Sequence, residues 1–252
     1  MKFIGQPFSG LLWILVWLLL GSPPAWAFRL STLNLNFSPS GAAAIQTVVA
    51  DNDGTVPVTL QIELLRRDID DDGKETGVSN QDFTLSPMHF TLAPGARHHI
   101  RLRWNGKVAV PRELAYRITV SEVPSAPSAP EPARKVGVNL VPQTQYVVSA
   151  YVTPPGAVAK VVVESFKILP DGKGELILNN LGTAHQLLKN LKVSIRRPIE
   201  GKPPEIYALD NDQLIDLRAE NLLPGKARRF MLSLPKKLAT YEGPVTAEVL
   251  LN

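Results

Sequence analysis

The chain has 252 residues, a net charge of +4, 22 prolines and no cysteine. The lack of cysteine excludes a disulfide-stapled scaffold, thiol catalysis and thiolate metal sites. Acids and bases are interspersed and aromatics are few, too mild a pattern for a nucleic-acid-binding surface.

The N-terminus carries an export pattern. Lys2 supplies a basic n-region, Leu11–Gly21 (LLWILVWLLLG) an apolar h-region, and Ala25-Trp26-Ala27 an A-x-A site, so residues 1–27 read as a signal peptide cleaved after Ala27. The alternative is a membrane anchor; against it stand the shortness of the apolar run and the absence of a basic cluster behind it. Abundant proline and scarce helical periodicity place the remainder among all-β proteins.

Phe28–Phe37 alternates, with Leu33, Leu35 and Phe37 on one face, and is predicted as a single strand ended by Ser38-Pro39-Ser40-Gly41. Ala44–Ala50 is the next strand. It leads to a turn at Asp51-Asn52-Asp53-Gly54, where Asx side chains cap the backbone and glycine takes positive φ. Val58–Arg66 points Val58, Leu60, Ile62 and Leu64 inward, polar Asp68–Asn80 is predicted as a connection, and Asp82–Leu85 and Met88–Leu92 are short extended pieces around Pro87. Leu92-Ala93-Pro94-Gly95 launches Arg97–Trp104, whose core face (Ile100, Leu102, Trp104) opposes a basic one (Arg101, Arg103).

From Pro111 the chain alternates again, with Leu114, Tyr116, Ile118 and Val120 on one face. A Pro-rich loop at 123–135 follows, holding Pro124, Pro127, Pro130 and Pro132; each lacks an N–H and fixes φ, so this is neither helix nor ladder. Beyond it Val136, Val138 and Leu140 stand at i, i+2 and i+4. Two readings of that aliphatic face are open. It fills the protein's own core, or it is presented at a sheet edge as a template for another chain's strand.

After Thr153-Pro154-Pro155-Gly156, a predicted hinge, the pattern restarts. Candidate strands are Val158–Leu169, Gly174–Asn179, Leu191–Arg197, Glu205–Ala208, Ala227–Leu234 and Pro244–Leu251. Leu222-Leu223-Pro224-Gly225 echoes Leu92-Ala93-Pro94-Gly95. Two sandwiches are therefore expected, a larger one over residues 28–153 and a smaller one over 154–252.

Few residues suggest chemistry. Asp68-Ile69-Asp70-Asp71-Asp72-Gly73 resembles the first half of a calcium loop, but Ser79 stands where a bidentate glutamate is needed and the flanks read as strands, so a solvated loop is the expectation. His98 and His99 are adjacent and point to opposite faces of a strand, which disfavours one shared metal. No nucleophile elbow, HExxH, P-loop or dinucleotide fingerprint occurs. The expectation is a protein that is not an enzyme and takes no metal, cofactor, nucleic acid or small-molecule substrate.

Taken in order, Leu92-Ala93-Pro94-Gly95, His99-Ile100-Arg101-Leu102, Glu113-Leu114-Ala115-Tyr116-Arg117 and Ser121-Glu122-Val123-Pro124 resemble the motif series of the PapD-like periplasmic chaperones of chaperone–usher pilus assembly. The resemblance covers most of the first domain and thins out in the second. It implies two immunoglobulin-like domains set in an L, or boomerang, in the periplasm. The strand after the Pro-rich loop would lend Val136, Val138 and Leu140 to a pilin subunit by donor-strand complementation, and the subunit would then pass to an outer-membrane usher. Arg29 and Lys135, with Arg134, are the bases nearest to that strand and the candidates for subunit contact. The family's two cleft bases are absent at the matching places, Asn34 and Gln145–Val148. Glu113 matches the family's interdomain glutamate, and Val152-Thr153 stands where its arginine partner is expected. The rival reading is a structural or adhesion module that keeps the fold without donor activity; a hydrolase on a sandwich scaffold is a third.

Overall fold

The computed structural model describes residues 28–123 and 143–251. Residues 1–27 lie outside the described residues, as do Arg134, Lys135, Val136, Val138 and Leu140.

The strands of the first half are β1 (Phe28–Leu30), β2 (Asn34–Phe37), β3 (Ile45–Asn52), β4 (Val58–Ile69), β5 (Glu75–Ser79), β6 (Phe83–Ser86), β7 (His89–Leu92), β8 (Arg97–Trp104), β9 (Leu114–Val123) and β10 (Gln145–Val152). They form two facing sheets, β1-β3-β8-β6 and β2-β10-β9-β4-β5, with β7 also paired to β4. Alternation decides what lies between them. On β8, Ile100, Leu102 and Trp104 are 2%, 0% and 5% exposed, whereas Arg101 and Arg103 face solvent. Phe83 sits edge-on among Phe37, Trp104 and Tyr116 at ring distances of 5.0, 5.2 and 5.0 Å. The Tyr116 hydroxyl keeps its polar end satisfied by donating to Asp82 Oδ2 at 2.7 Å.

The second half contains β11 (Val161–Ile168), β12 (Gly174–Asn180), β13 (Gln186–Leu187), β14 (Lys192–Ile199), β15 (Lys202–Ala208), β16 (Asn221–Leu222), β17 (Ala227–Leu232), the short helix α1 (Lys236–Ala239) and β18 (Thr246–Leu250). Its sheets β11-β12-β17 and β15-β14-β18 enclose a separate core of Leu176, Leu178, Ile195, Leu217, Leu222 and Leu232. The described residues are thus nearly all β, as expected.

Two local expectations are corrected. Phe28–Phe37 is two strands, not one: the Thr32 hydroxyl accepts from Asn34 N–H at 3.1 Å and donates to Asn34 C=O at 2.9 Å, which pins a kink between them. β1 then joins one sheet and β2 the other, and Leu33, expected to share a face with Leu35 and Phe37, is 46% exposed whereas those two are buried. The Asp68–Asn80 connection is a hairpin. β4 runs on to Ile69 and β5 returns from Glu75, with Asp70 Oδ1 accepting the N–H groups of Asp72 and Lys74 at 3.1 and 2.8 Å. Gly73 closes this turn at φ +87°, and a side chain there would collide with the Arg228 guanidinium.

The L-x-P-G echo corresponds to one corner built twice. Asn52 and Asn180 are 1% and 0% exposed. Nδ2 of each donates to a carbonyl four residues on (Val56 and Ala184, both 2.8 Å) and to the leucine that opens the turn (Leu92 and Leu222, both 3.0 Å). Oδ1 of each accepts a glycine N–H, from Gly54 at 2.9 Å and Gly182 at 3.0 Å. The turn glycines, Gly95 and Gly225, sit at φ +69° and +72° and donate back to the two asparagine carbonyls, both at 2.8 Å. An alanine in either place strands several buried polar groups. Asn52→Ala and Asn180→Ala are each expected to lower unfolding free energy by about 2–4 kcal/mol, read as a fall in the urea midpoint of the corresponding domain.

Candidate functional site

The site begins with the bonding of β10. β9 pairs antiparallel with it over its whole length, Gln145↔Ser121 to Val152↔Leu114. On its other side β2 runs parallel only from Ser149↔Asn34 to Val152↔Phe37. Among the described residues, Gln145–Val148 therefore has a strand neighbour on one side only. The kink at Thr32 is the local cause, because it carries the chain away to the other sheet before β2 could cover more. Val148, Ala150 and Val152 point into the core, and Tyr146 packs edge-on against Phe28 at 5.0 Å while donating to the Phe28 carbonyl at 3.0 Å. Val147 faces outward and is 48% exposed. Arg29 stands on β1 next to Phe28, at this end of β10, and its guanidinium is engaged by Asp53.

The other end of β10 enters a cleft between the domains. The register places Arg117 opposite Leu65, Ser149 opposite Arg117 and Asn34 opposite Ser149, so all four lie in one row across the sheet. The cleft, of about 460 Å³, is lined by Asn34, Arg67, Glu75, Arg117, Ser149 and Tyr151 from the first domain, and by His185, Glu220, Asn221 and Arg228 from the second. Arg117 grips Glu75 with two nitrogens, at 2.5 and 2.9 Å, and its third nitrogen donates to the Ser149 hydroxyl. Arg67, whose side chain is 7% exposed, lies 2.9 Å from the same carboxylate. Burial works against ionisation of Glu75; the Arg117 hydrogen bonds and the two guanidinium charges outweigh it and hold the carboxyl below its ordinary range.

Glu113 is the hub of the junction. It is buried and accepts from Thr153 Oγ1 at 2.8 Å, from His185 N–H at 3.0 Å and from His185 Nδ1 at 2.6 Å. Thr153, at the place where an arginine partner was expected, thus supplies a hydroxyl, and the second domain supplies an imidazole. That ring stacks on Tyr151 at 4.0 Å and 9°, and the Tyr151 hydroxyl accepts from Asn221 Nδ2 at 2.7 Å. Ile69, Ala115, Tyr151 and Leu223 form a small apolar cluster alongside. The Asp-rich hairpin completes the contact: Lys226 pairs with Asp68 at 2.8 Å, and Arg229 N–H donates to the Asp71 carbonyl at 2.7 Å. The half-loop that resembled a calcium site is therefore a strut between domains.

Sequence reasoning missed Arg67, Arg117 and His185. Arg117 was in view as the last residue of Glu113-Leu114-Ala115-Tyr116-Arg117, but only the cross-strand register shows that it shares a row with Asn34 and Ser149. Nothing local marks His185 as the partner of Glu113.

Residues 33–148, most of the first domain, match the family described as pili and flagellar-assembly chaperone, PapD N-terminal domain. That segment of the chain, just under half of it, is similar to the PapD-like family. No curated protein sequence matches the chain, whereas solved structures do. A chain in the CsuC–CsuE chaperone–tip adhesion subunit pre-assembly complex, from archaic chaperone–usher Csu pili of Acinetobacter baumannii, aligns with TM-score 0.56 and 15% identity over 89% of this chain and 97% of that one. The class 5 fimbriae chaperone CfaA aligns with TM-score 0.53 and 13% identity over 90% and 100% of the two chains. The E. coli chaperone DraB gives 0.51 and 19% over 85% and 88%. At these identities the likeness carries the fold, and it extends over both halves of the chain.

Burial opposes the charge on Glu113, but the His185 hydrogen bond and charge, with Thr153 and the His185 N–H, lower its pKa below the ordinary 4.5. A lowered carboxylate pKa stabilises the fold fully above the unfolded value and ceases to do so as pH falls through the folded one. The junction is therefore expected to weaken progressively below about pH 4.5. Glu113→Gln should be less stable at neutral pH and lose part of that acid limb, as read from urea midpoints across the range.

Proposed function

We infer that this protein is a non-enzymatic periplasmic pilus-assembly chaperone, in which residues 28–153 carry subunit binding and residues 154–252 form the second domain. It binds an immunoglobulin-like pilin that lacks a strand and delivers it to an outer-membrane usher. The observation that carries this reading is the half-open β10 within a PapD-type domain. Over Gln145–Val148 one row of backbone N–H and C=O groups has no strand beside it among the described residues, the arrangement that accepts a further strand.

Val136, Val138 and Leu140 precede this edge and share the even parity of Tyr146 and Val148. In strand addition, main-chain hydrogen bonds set register and each aliphatic side chain that enters the partner's groove contributes about 1.5–3 kcal/mol. Arg29, beside the open end of β10, and Lys135, which precedes the aliphatic row in sequence, are the bases proposed to meet the partner's flanking residues. Glu113 acts on the geometry between domains, not on the partner.

Val138→Asp places an uncompensated charge in that groove. Co-expressed with a pilin subunit from the same organism, the variant is expected to fold with an unchanged melting temperature and to lose the one-to-one complex in pull-down. Normal capture by the folded variant would exclude strand addition at this position.

A further inference from the structure

A second cavity lies on the other side of the sheet from the cleft. Its volume is about 520 Å³, and among the described residues it shares only Arg67 with the cleft. Register shows why the two are separate. Arg66 stands between Val78 on β5 and Tyr116 on β9, in a row one residue out of step with Leu65, Arg117 and Ser149. Adjacent rows of a sheet point to opposite faces, so the Arg66 row looks away from the cleft. The first domain contributes Arg66, Val78, Arg112 and Leu114 to this cavity, and the second closes it with Leu223 and Pro224 of the L-x-P-G turn.

Leu223 and Pro224 are buried, whereas Arg66 and Arg112 are exposed, which gives an apolar floor beneath a cationic rim. Val78, the one aliphatic residue of β5, extends that floor and is 62% exposed. Both acids of the cavity are already engaged: Asp68 by Lys226 at 2.8 Å, and Glu113 by Thr153 and His185. That leaves the charges of Arg66 and Arg112 with no ion-pair partner among the described residues. Arg112 is nonetheless held in place. Its guanidinium lies against Gly225 of the second domain, where φ is +72° and any side chain would collide with it.

We propose that this cavity is a binding site for a small amphipathic anion, whose apolar body rests on Val78, Leu114, Leu223 and Pro224 and whose acidic group meets Arg66 and Arg112. The volume is that of a pocket for a small organic ligand, which typically runs to about 300–1,000 Å³. A sulfonate or carboxylate offers several oxygens to the planar forks of two guanidinium groups. Because the walls come from both domains, the occupant ties one to the other and favours the arrangement in which the cavity is formed. The site uses neither the open edge of β10 nor the cleft, so it goes beyond the chaperone reading and stands apart from strand addition.

The full chain is titrated calorimetrically with naphthalene-2-sulfonate, with the neutral naphthalene-2-sulfonamide and with inorganic sulfate, at matched ionic strength. Only the sulfonate is expected to bind and to raise the melting temperature. Arg66→Gln combined with Arg112→Gln should weaken it by at least about tenfold, the scale of one lost charge-assisted hydrogen bond. Both side chains are exposed, so the ligand-free variant should melt with the unaltered protein. Val78→Glu, a second exposed change, brings a negative charge to the floor and should abolish binding. Absence of sulfonate binding, equal binding of the sulfonamide or of sulfate, or unchanged sulfonate affinity in either variant overturns the proposal. Capture of a pilin subunit tests the chaperone reading separately, since none of the three probes depends on strand addition.

Discussion

The backbone bonding of β10 is the constraint on which this molecule turns. Among the described residues its first half has one strand neighbour and its second half has two. Buried backbone groups are almost always paired, so a strand with an open side needs either water or another strand there. Register with β9 fixes the phase and sends Val148, Ala150 and Val152 into the core. A slip by one residue would turn every one of them outward. The open half is therefore rigid in the sense that matters for recognition, because the closed half cannot move without disrupting the core.

The same strand links the edge to the cleft. Ser149 and Tyr151 project from β10 into the space between the domains, where Tyr151 stacks on His185 and accepts from Asn221. Near that stack is Glu113, with three donors from two elements. The exposed pairs of the hairpin, such as Lys226 with Asp68, are each worth about 0–1 kcal/mol. The buried cluster around Glu113 and Tyr151 thus does more to set the relation between domains than the surface charges do, although the latter are more conspicuous in the sequence.

What was legible follows from which forces are local. Period-two alternation located the core faces of β4, β8 and β9, because burial of every second residue leaves a direct trace in residue type. The L-x-P-G turns were visible because positive φ at Gly95 and Gly225 demands glycine. The kink at Thr32 was not visible: a threonine hydroxyl bonding two residues ahead leaves the hydrophobic pattern intact while changing the sheet. The hairpin at 69–75 reads as a loop in sequence because β5 and the Arg66–Asp68 stretch that pairs with it are mostly polar. The cleft was the least legible part. Arg67, Glu75, Arg117, Ser149 and His185 are brought together by register and by the meeting of two domains, and no spacing within the chain encodes that. The aliphatic row Val136, Val138 and Leu140 lies outside the described residues and rests on its pattern alone.

The paired asparagines have a bearing on ancestry. The family match ends at residue 148, so residue identity says little about where the second domain came from. Its corner at Asn180 nevertheless reproduces that at Asn52 bond for bond, down to the glycine two residues on and the glycine that closes the turn. A network of this kind is demanding to assemble independently, because each member is useful only when the others are in place. Matching corners of this kind are the trace that duplication of one sandwich unit would leave, with the strand edge kept open in one copy.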